Sequence, residues 1–109
     1  MEKIISPISP FALSVYLTTK QIPRGRLSTY GAIARAIGQP RATRAVGQAL
    51  NRNPHWPKVP CHRVVGSNGQ LTGFASGLNK KRQLLQQEGI IIKNNSITNL
   101  AEVFYQPHL

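Results

Sequence analysis

The sequence predicts an α+β domain, mainly helical, with a helix-turn-helix and a small hairpin. Three observations point there. Apolar residues recur at helical spacing in several stretches between residues 10 and 88. Two of the resulting helices are short and are joined by a link containing Gly38 and Pro40, the pattern of a helix-turn-helix. Val64-Val65 followed by Asn68-Gly69 pairs a short strand with a strong hairpin-turn signal. At 109 residues the chain has room for one modest core, and a single domain over residues 1–109 is expected. Within it, residues 1–8 read as an arm and 93–109 as a tail.

Ser9 and Pro10 form a helix start, Ser as N-cap and Pro at the first position, with Phe11, Val15 and Leu17 offering a buried face to about Lys20. Pro23 and Gly25 break the chain. Thr29 can cap a second helix in which Tyr30, Ile33 and Ile37 recur, and Gly38 ends it. A third helix is predicted from about Arg41 to Asn51. Ala42, Ala45, Val46, Ala49 and Leu50 form its apolar stripe, and Arg41, Arg44, Gly47 and Gln48 its other face. Packing explains the alanines but not Gly47, which costs about 1 kcal/mol against Ala inside a helix. Close approach of a partner to the backbone would explain it. Pro54, Pro57 and Pro60 then forbid helix and central strand, so the approach to Cys61 is a stiff loop. A last helix is predicted around Asn79 to Glu88, with Leu84 and Leu85 facing the core and Gly89 closing it. Ile90 to Ile92 reads as a short strand.

Fourteen Lys and Arg against three acids give a formal net charge of +11. Charge of that size repels itself in the compact state, and a polyanionic partner, most commonly nucleic acid, is the usual reason to keep it. There is no Asp, and Glu88 is the one acid away from the termini, so hydrolysis by paired carboxylates is close to excluded. One cysteine permits no intramolecular disulfide, which suits a reducing compartment. His55, His62 and His108 with one Cys make no zinc spacing, and no metal or cofactor is expected. No signal peptide or membrane-length apolar run is visible, so no membrane partner is expected and the location is expected to be cytoplasmic, or nuclear in a eukaryote.

A lone cysteine is more often a small buried hydrophobe than a nucleophile. Three features of Cys61 favour chemistry: His62 beside it can take the thiol proton, Arg63 and Lys58 supply positive charge, and the prolines hold the sulfur in place. A papain-like dyad is disfavoured, because its His comes from far away in sequence. Glu88 sits at a helix C-terminus, where the dipole disfavours an acid. A specific partner such as His62 would explain it and complete a nucleophile, base and orienter set. The alternative is a solvated helix-end residue.

Pro60-Cys61-His62-Arg63-Val64-Val65 resembles the active-site signature of the O6-alkylguanine-DNA alkyltransferases, or methylated-DNA–protein-cysteine methyltransferases. Ile22-Pro23-Arg24-Gly25, Thr29-Tyr30, Arg44-Ala45-Val46-Gly47, Asn53-Pro54, Thr72-Gly73-Phe74, Gly77-Leu78, Leu84-Leu85 and Glu88-Gly89 resemble other family segments, in register from about Phe11 to Gly89. The resemblance implies a winged-helix-like, DNA-binding catalytic domain. Its partner would be double-stranded DNA with an alkylated guanine, flipped out of the stack. Cys61 would accept the alkyl group irreversibly. His62 would act as base through a water, Glu88 would orient it, and Asn53 would hold the turn before the loop. Tyr30 would contact the target phosphate and Arg44 would fill the vacated place, with Ala45, Gly47 and Arg63 also on the DNA side. Carbonyls of Cys61 and Val64 would read the guanine, and Pro57, Phe74 and Ala75 would line its pocket. A monomer is expected.

The sequence departs from the family pattern in two ways. The family usually carries a further N-terminal domain, and Ala75 stands where many members have a Ser able to bond the guanine O6. The related alkyltransferase-like proteins bind alkylated guanine without transfer, flag it for excision repair and carry Trp at the cysteine position. A lesion sensor of that kind, possible partner of excision-repair proteins, is the first alternative. A plain architectural DNA-binding domain with an inert Cys61 is the second.

Overall fold

The computed structural model describes residues 8–74 and 77–108; Ala75, with its expected place in the guanine pocket, lies outside the described residues. Helix α1 spans Pro10–Thr19, and the Ser9 hydroxyl accepts from the Ala12 amide at 3.0 Å. Its buried face is Val15, Tyr16, Thr18 and Thr19. Leu17, expected inside, is exposed, because two residues on from Val15 is about 200° around a helix. Phe11 packs half-buried on the core. The two buried threonines bond backward to the Ser14 and Val15 carbonyls at 2.7 and 2.8 Å, so burying them leaves no orphan hydroxyl.

Strand β1, Ser28–Thr29, runs directly into helix α2, Tyr30–Ala36, whose cap is the Thr29 hydroxyl accepting from Ala32 at 3.0 Å. Gly38 ends this turn at φ +76°, a conformation that favours glycine. Helix α3 is Thr43–Asn51, shorter than the expected Arg41 start, since Ala42 at the cap has no side-chain acceptor to extend it. Val46 and Leu50 are buried, Ala42, Ala45 and Ala49 half-buried. Helices α1, α2 and α3 pack on one another around Val15, Ile22, Ile33, Val46, Leu50 and Val64. Each such aliphatic side chain contributes about 1.5–3 kcal/mol of burial.

Val64–Val65 forms β2 as expected, but it does not head a hairpin. It pairs in parallel with β1, Ser28 opposite Val64 and Thr29 opposite Val65. Asn68-Gly69 does make a tight turn, closed by Gly66 N–H on the Gln70 carbonyl at 2.9 Å, after which Gln70 bridges to Ser96. The antiparallel hairpin lies later: β3, Ile92–Lys93, pairs with β4, Ser96–Ile97. Asn94 and Asn95 turn it at φ 51° and 60°, the left-handed pair a two-residue hairpin loop requires. The expected strand at Ile90–Ile92 thus begins at Ile92, and the segment read as a tail is packed structure. It adds α5, Leu100–Val103, and a bridge from Phe104 to Leu27. Helix α4, Leu78–Gln87, puts Leu85 into a second cluster with Leu27, Val65, Leu71, Ile90 and Ile97, while Leu84 is half-buried. Among the described residues no helix is long and apolar enough to cross a membrane.

Candidate active site

The loop before Cys61 is closed by Asn53. Its side-chain amide donates to the Val59 carbonyl at 2.8 Å, and its oxygen accepts from the His55 amide at 2.9 Å. Cys61 then opens a single 3-10 turn, Cys61–Arg63, that leads into β2. The sulfur-bearing residue is buried and lines a cavity of about 160 Å³ with Leu50, Asn53, Trp56, Phe74 and others.

His62 lies behind it, 3% exposed, with both ring nitrogens engaged. Nε2 is 2.8 Å from Glu88 Oε2, and Nδ1 accepts from the Trp56 indole N–H at 3.1 Å. A carboxylate on Nε2 and a donor on Nδ1 are jointly satisfied by the neutral tautomer with its proton on Nε2. Glu88 is held in turn by Arg63, whose Nε lies 3.0 and 3.2 Å from its two oxygens, and by the Gly25 amide at 3.1 Å. Burial alone would raise the Glu88 carboxyl, but hydrogen bonds from Arg63, His62 and Gly25 outweigh it and keep it below its usual 4.5. Burial lowers His62 below 6.5 against the pull of Glu88. Burial also raises the Cys61 thiol above 9.0, opposed by the Asn53 side chain and the Lys81 charge. The resting site is therefore neutral thiol beside neutral imidazole.

Lys81 carries no sequence-based role, yet it is wholly buried. Its ammonium donates to the carbonyls of Val64 at 2.7 Å and Thr72 at 2.6 Å, and reaches the Tyr30 hydroxyl at 3.3 Å. Burial brings it down from 10.5 to about 8. The signal for it was positional: Lys81 stands four residues before Leu85, on the same helix face.

Several expected placements change. Arg63 does not face a DNA surface; its guanidinium is occupied by Glu88 and by the Ile22 carbonyl at 2.9 Å. The cation near the thiol is thus Lys81, not Arg63, and Lys58 is exposed on the loop. Pro57 is exposed, and its neighbour Trp56 lines the cavity instead, with Phe74 as expected. The Val64 carbonyl, expected to read the base, already accepts from Lys81. Ala45 is half-buried, as is Gly47.

Beside the cavity, Tyr30, Arg44, Gly47, Gln48 and Gly73 line an open groove along α3. The Tyr30 hydroxyl donates to the Thr72 carbonyl at 3.0 Å. A Cβ on Gly47 would meet only the Tyr30 ring at 3.8 Å, an ordinary contact, so nothing within the chain requires glycine there. Gly47→Ala should accordingly stabilise the fold by about 0.5–1 kcal/mol while weakening duplex binding several-fold. Thermal melts and fluorescence anisotropy on one preparation check both, and unchanged affinity would refute close approach at Gly47.

The family described as 6-O-methylguanine DNA methyltransferase, DNA binding domain, matches residues 10–90. The chain belongs to that family. It is 58% identical to the methylated-DNA--protein-cysteine methyltransferase of Methanosarcina acetivorans over 79 residues, 72% of this chain and 51% of the relative. It is 39% identical to that of Haemophilus influenzae over 106 residues, 94% of this chain and 59% of the relative. The chain thus spans about half the length of the curated relatives it matches. Among solved structures, Mycobacterium tuberculosis OGT in complex with DNA aligns with TM-score 0.73 at 46% identity, covering 75% of this chain and 51% of that one. S. pombe Atl1, in complex with damaged DNA containing O6-carboxymethylguanine, aligns with TM-score 0.80 at 33% identity, covering 94% and 100%. The α+β, mainly helical architecture expected from the sequence is the architecture of this family.

Proposed function

We propose that the domain repairs double-stranded DNA by moving the alkyl group of an O6-alkylguanine onto Cys61. The observation that carries this is one thiol, Cys61, lining a cavity beside a His62–Glu88 pair, next to a groove along a slim helix that bears Arg44. The kinship with methylated-DNA--protein-cysteine methyltransferases supports it. An O6-alkyl group is buried in a duplex, so the nucleotide must leave the stack to reach a recessed sulfur. Arg44, exposed on α3, would occupy the gap, and Tyr30, lining the same groove, would meet the adjacent phosphate. His62 takes the thiol proton, and Glu88 stabilises the imidazolium that forms. The thiolate sulfur bonds to the alkyl carbon as the carbon–O6 bond breaks. The electron pair of that bond stays with guanine, which takes the proton back at N1. The thioether has no route to thiol, so each molecule acts once. No cofactor is needed for these steps, and the domain acts as a monomer in the cytoplasm, or the nucleus of a eukaryote.

The test is intact mass after mixing with a duplex holding one O6-methylguanine, followed by peptide mapping. One methyl gained on Cys61, with protein modified in equal amount to lesion consumed, is the expected result. The match to Atl1 over its whole length favours a second reading, a sensor that grips damaged DNA, keeps its thiol and recruits excision repair. Tight lesion-selective binding with unchanged mass would establish the sensor and overturn transfer.

A further inference from the structure

In the resting structure the proposed base is not free. Glu88 takes His62 Nε2, so Nδ1 carries the one lone pair able to accept the thiol proton, and that lone pair faces the Trp56 indole N–H at 3.1 Å. The indole also packs edge-on against His62 and Phe74, with ring centroids 5.9 and 6.4 Å away, and lines the Cys61 cavity. It is nonetheless 42% exposed, so little apolar burial pins it in place. A single-use nucleophile gains from such a cover, because adventitious oxidation or alkylation of a thiol follows its thiolate fraction.

We propose that Trp56 is a plug on the base: its indole N–H occupies His62 Nδ1 until a purine entering the Cys61 cavity draws the ring aside. Displacement lets the Sγ–H bond break, the proton pass through a water to Nδ1, and the electron pair remain on sulfur. A flat aromatic base offers the indole a stacking surface in exchange for its contacts with His62 and Phe74. What displaces the plug rests on the repair reading; that Trp56 restrains His62 does not, and it is tested without DNA.

The measurement is the pH dependence of Cys61 alkylation by iodoacetamide in DNA-free protein, for wild type, Trp56→Phe and Trp56→Leu. Wild type should react as a lone buried thiol, with its inflection above 9.0. Both variants free Nδ1, so the inflection should move to lower pH and the rate at pH 7 rise about tenfold. Superimposable profiles, or a rise by one factor at every pH that marks mere uncovering of the sulfur, would overturn the plug. Trp56 is the one tryptophan in the chain, so its emission reports on the ring alone. With Cys61→Ser and a duplex containing O6-methylguanine, emission should change as the labelled duplex binds and stay constant with undamaged duplex. A bound lesion complex with unchanged emission would overturn the displacement. A thiol profile that shifts without any methyl transfer would keep the plug and remove the repair reading.

Discussion

Glu88→Gln is expected to slow alkyl transfer about 100-fold and to destabilise the fold by about 2–4 kcal/mol. Gln has nearly the same shape and can still accept from His62 Nε2, so what is lost is charge. Two consequences follow. In the proposed transfer, the imidazolium formed when His62 takes the thiol proton would lose its counter-ion in a buried setting, where ionic interactions are strong. The Arg63 guanidinium, 17% exposed, is left without the carboxylate it grips through three short contacts. The pH dependence separates these. The Glu88 carboxyl lies below 4.5 in the folded protein. Its stabilisation is therefore complete above the unfolded value near 4.5 and is lost as pH falls through the lower folded value. Urea titrations should show wild type and Glu88→Gln far apart at pH 7 and converging under acid. Single-turnover transfer at pH 7 gives the rate. A variant that transfers at the wild-type rate would mean that His62 is not the base.

The helices were legible because each carries its own evidence. Ser9 and Thr29 cap α1 and α2 as their positions suggest, and Val46 and Leu50 fall on one face of α3. The sheet was not legible, for a physical reason. β1 is two residues, too short for any alternation, and its partner Val64–Val65 is brought alongside by helix packing rather than by a local turn. The Asn68-Gly69 signal was correct about the turn and silent about the partner, since turn chemistry fixes only the chain reversal. Asn94-Asn95 carried an equivalent turn signal within the segment read as a tail.

At the site, scarcity made the chain readable. With one Cys and one acid away from the termini, Cys61 and Glu88 had few competitors, and Glu88 meets His62, the residue after Cys61, at 2.8 Å. Arg63 was expected to favour the thiolate and to lie on the DNA side. Which way its side chain turns depends on Glu88 and the Ile22 carbonyl, which reach it only in the folded state. Pro57 was expected in the pocket from the resemblance, whereas the role of the adjacent Trp56 rests on its contact with His62 Nδ1, which forms only in the folded state. Lys81 sits in the run Lys80-Lys81-Arg82, which reads as a solvated charged face until the inward stripe of α4 is followed through it.

Lys81→Met should slow transfer about tenfold at pH 7 with a change in stability of no more than about 2 kcal/mol. A buried ammonium is costly: the fall from 10.5 to about 8 corresponds to about 3 kcal/mol at neutral pH. The unfolded chain binds the proton more tightly, so between about 8 and 10.5 it holds more protons than the folded one. This group therefore makes stability rise with pH through that window. Met removes the cost but strands the buried Val64 carbonyl, at about 1–3 kcal/mol, while the Thr72 carbonyl keeps the Tyr30 hydroxyl. The two effects nearly cancel. A charge that adds so little to stability is kept for what it does to its neighbours: it favours the Cys61 thiolate and bonds the Tyr30 hydroxyl at the edge of the groove. The decisive signature lies in pH. As wild-type Lys81 loses its proton near 8, the wild-type rate should approach that of the variant, so the ratio should fall from about ten at pH 7 toward one by pH 9.5. A ratio that stays constant across that range would mean that Lys81 only ties the Thr72 loop to β2, and that its charge has no part in the chemistry.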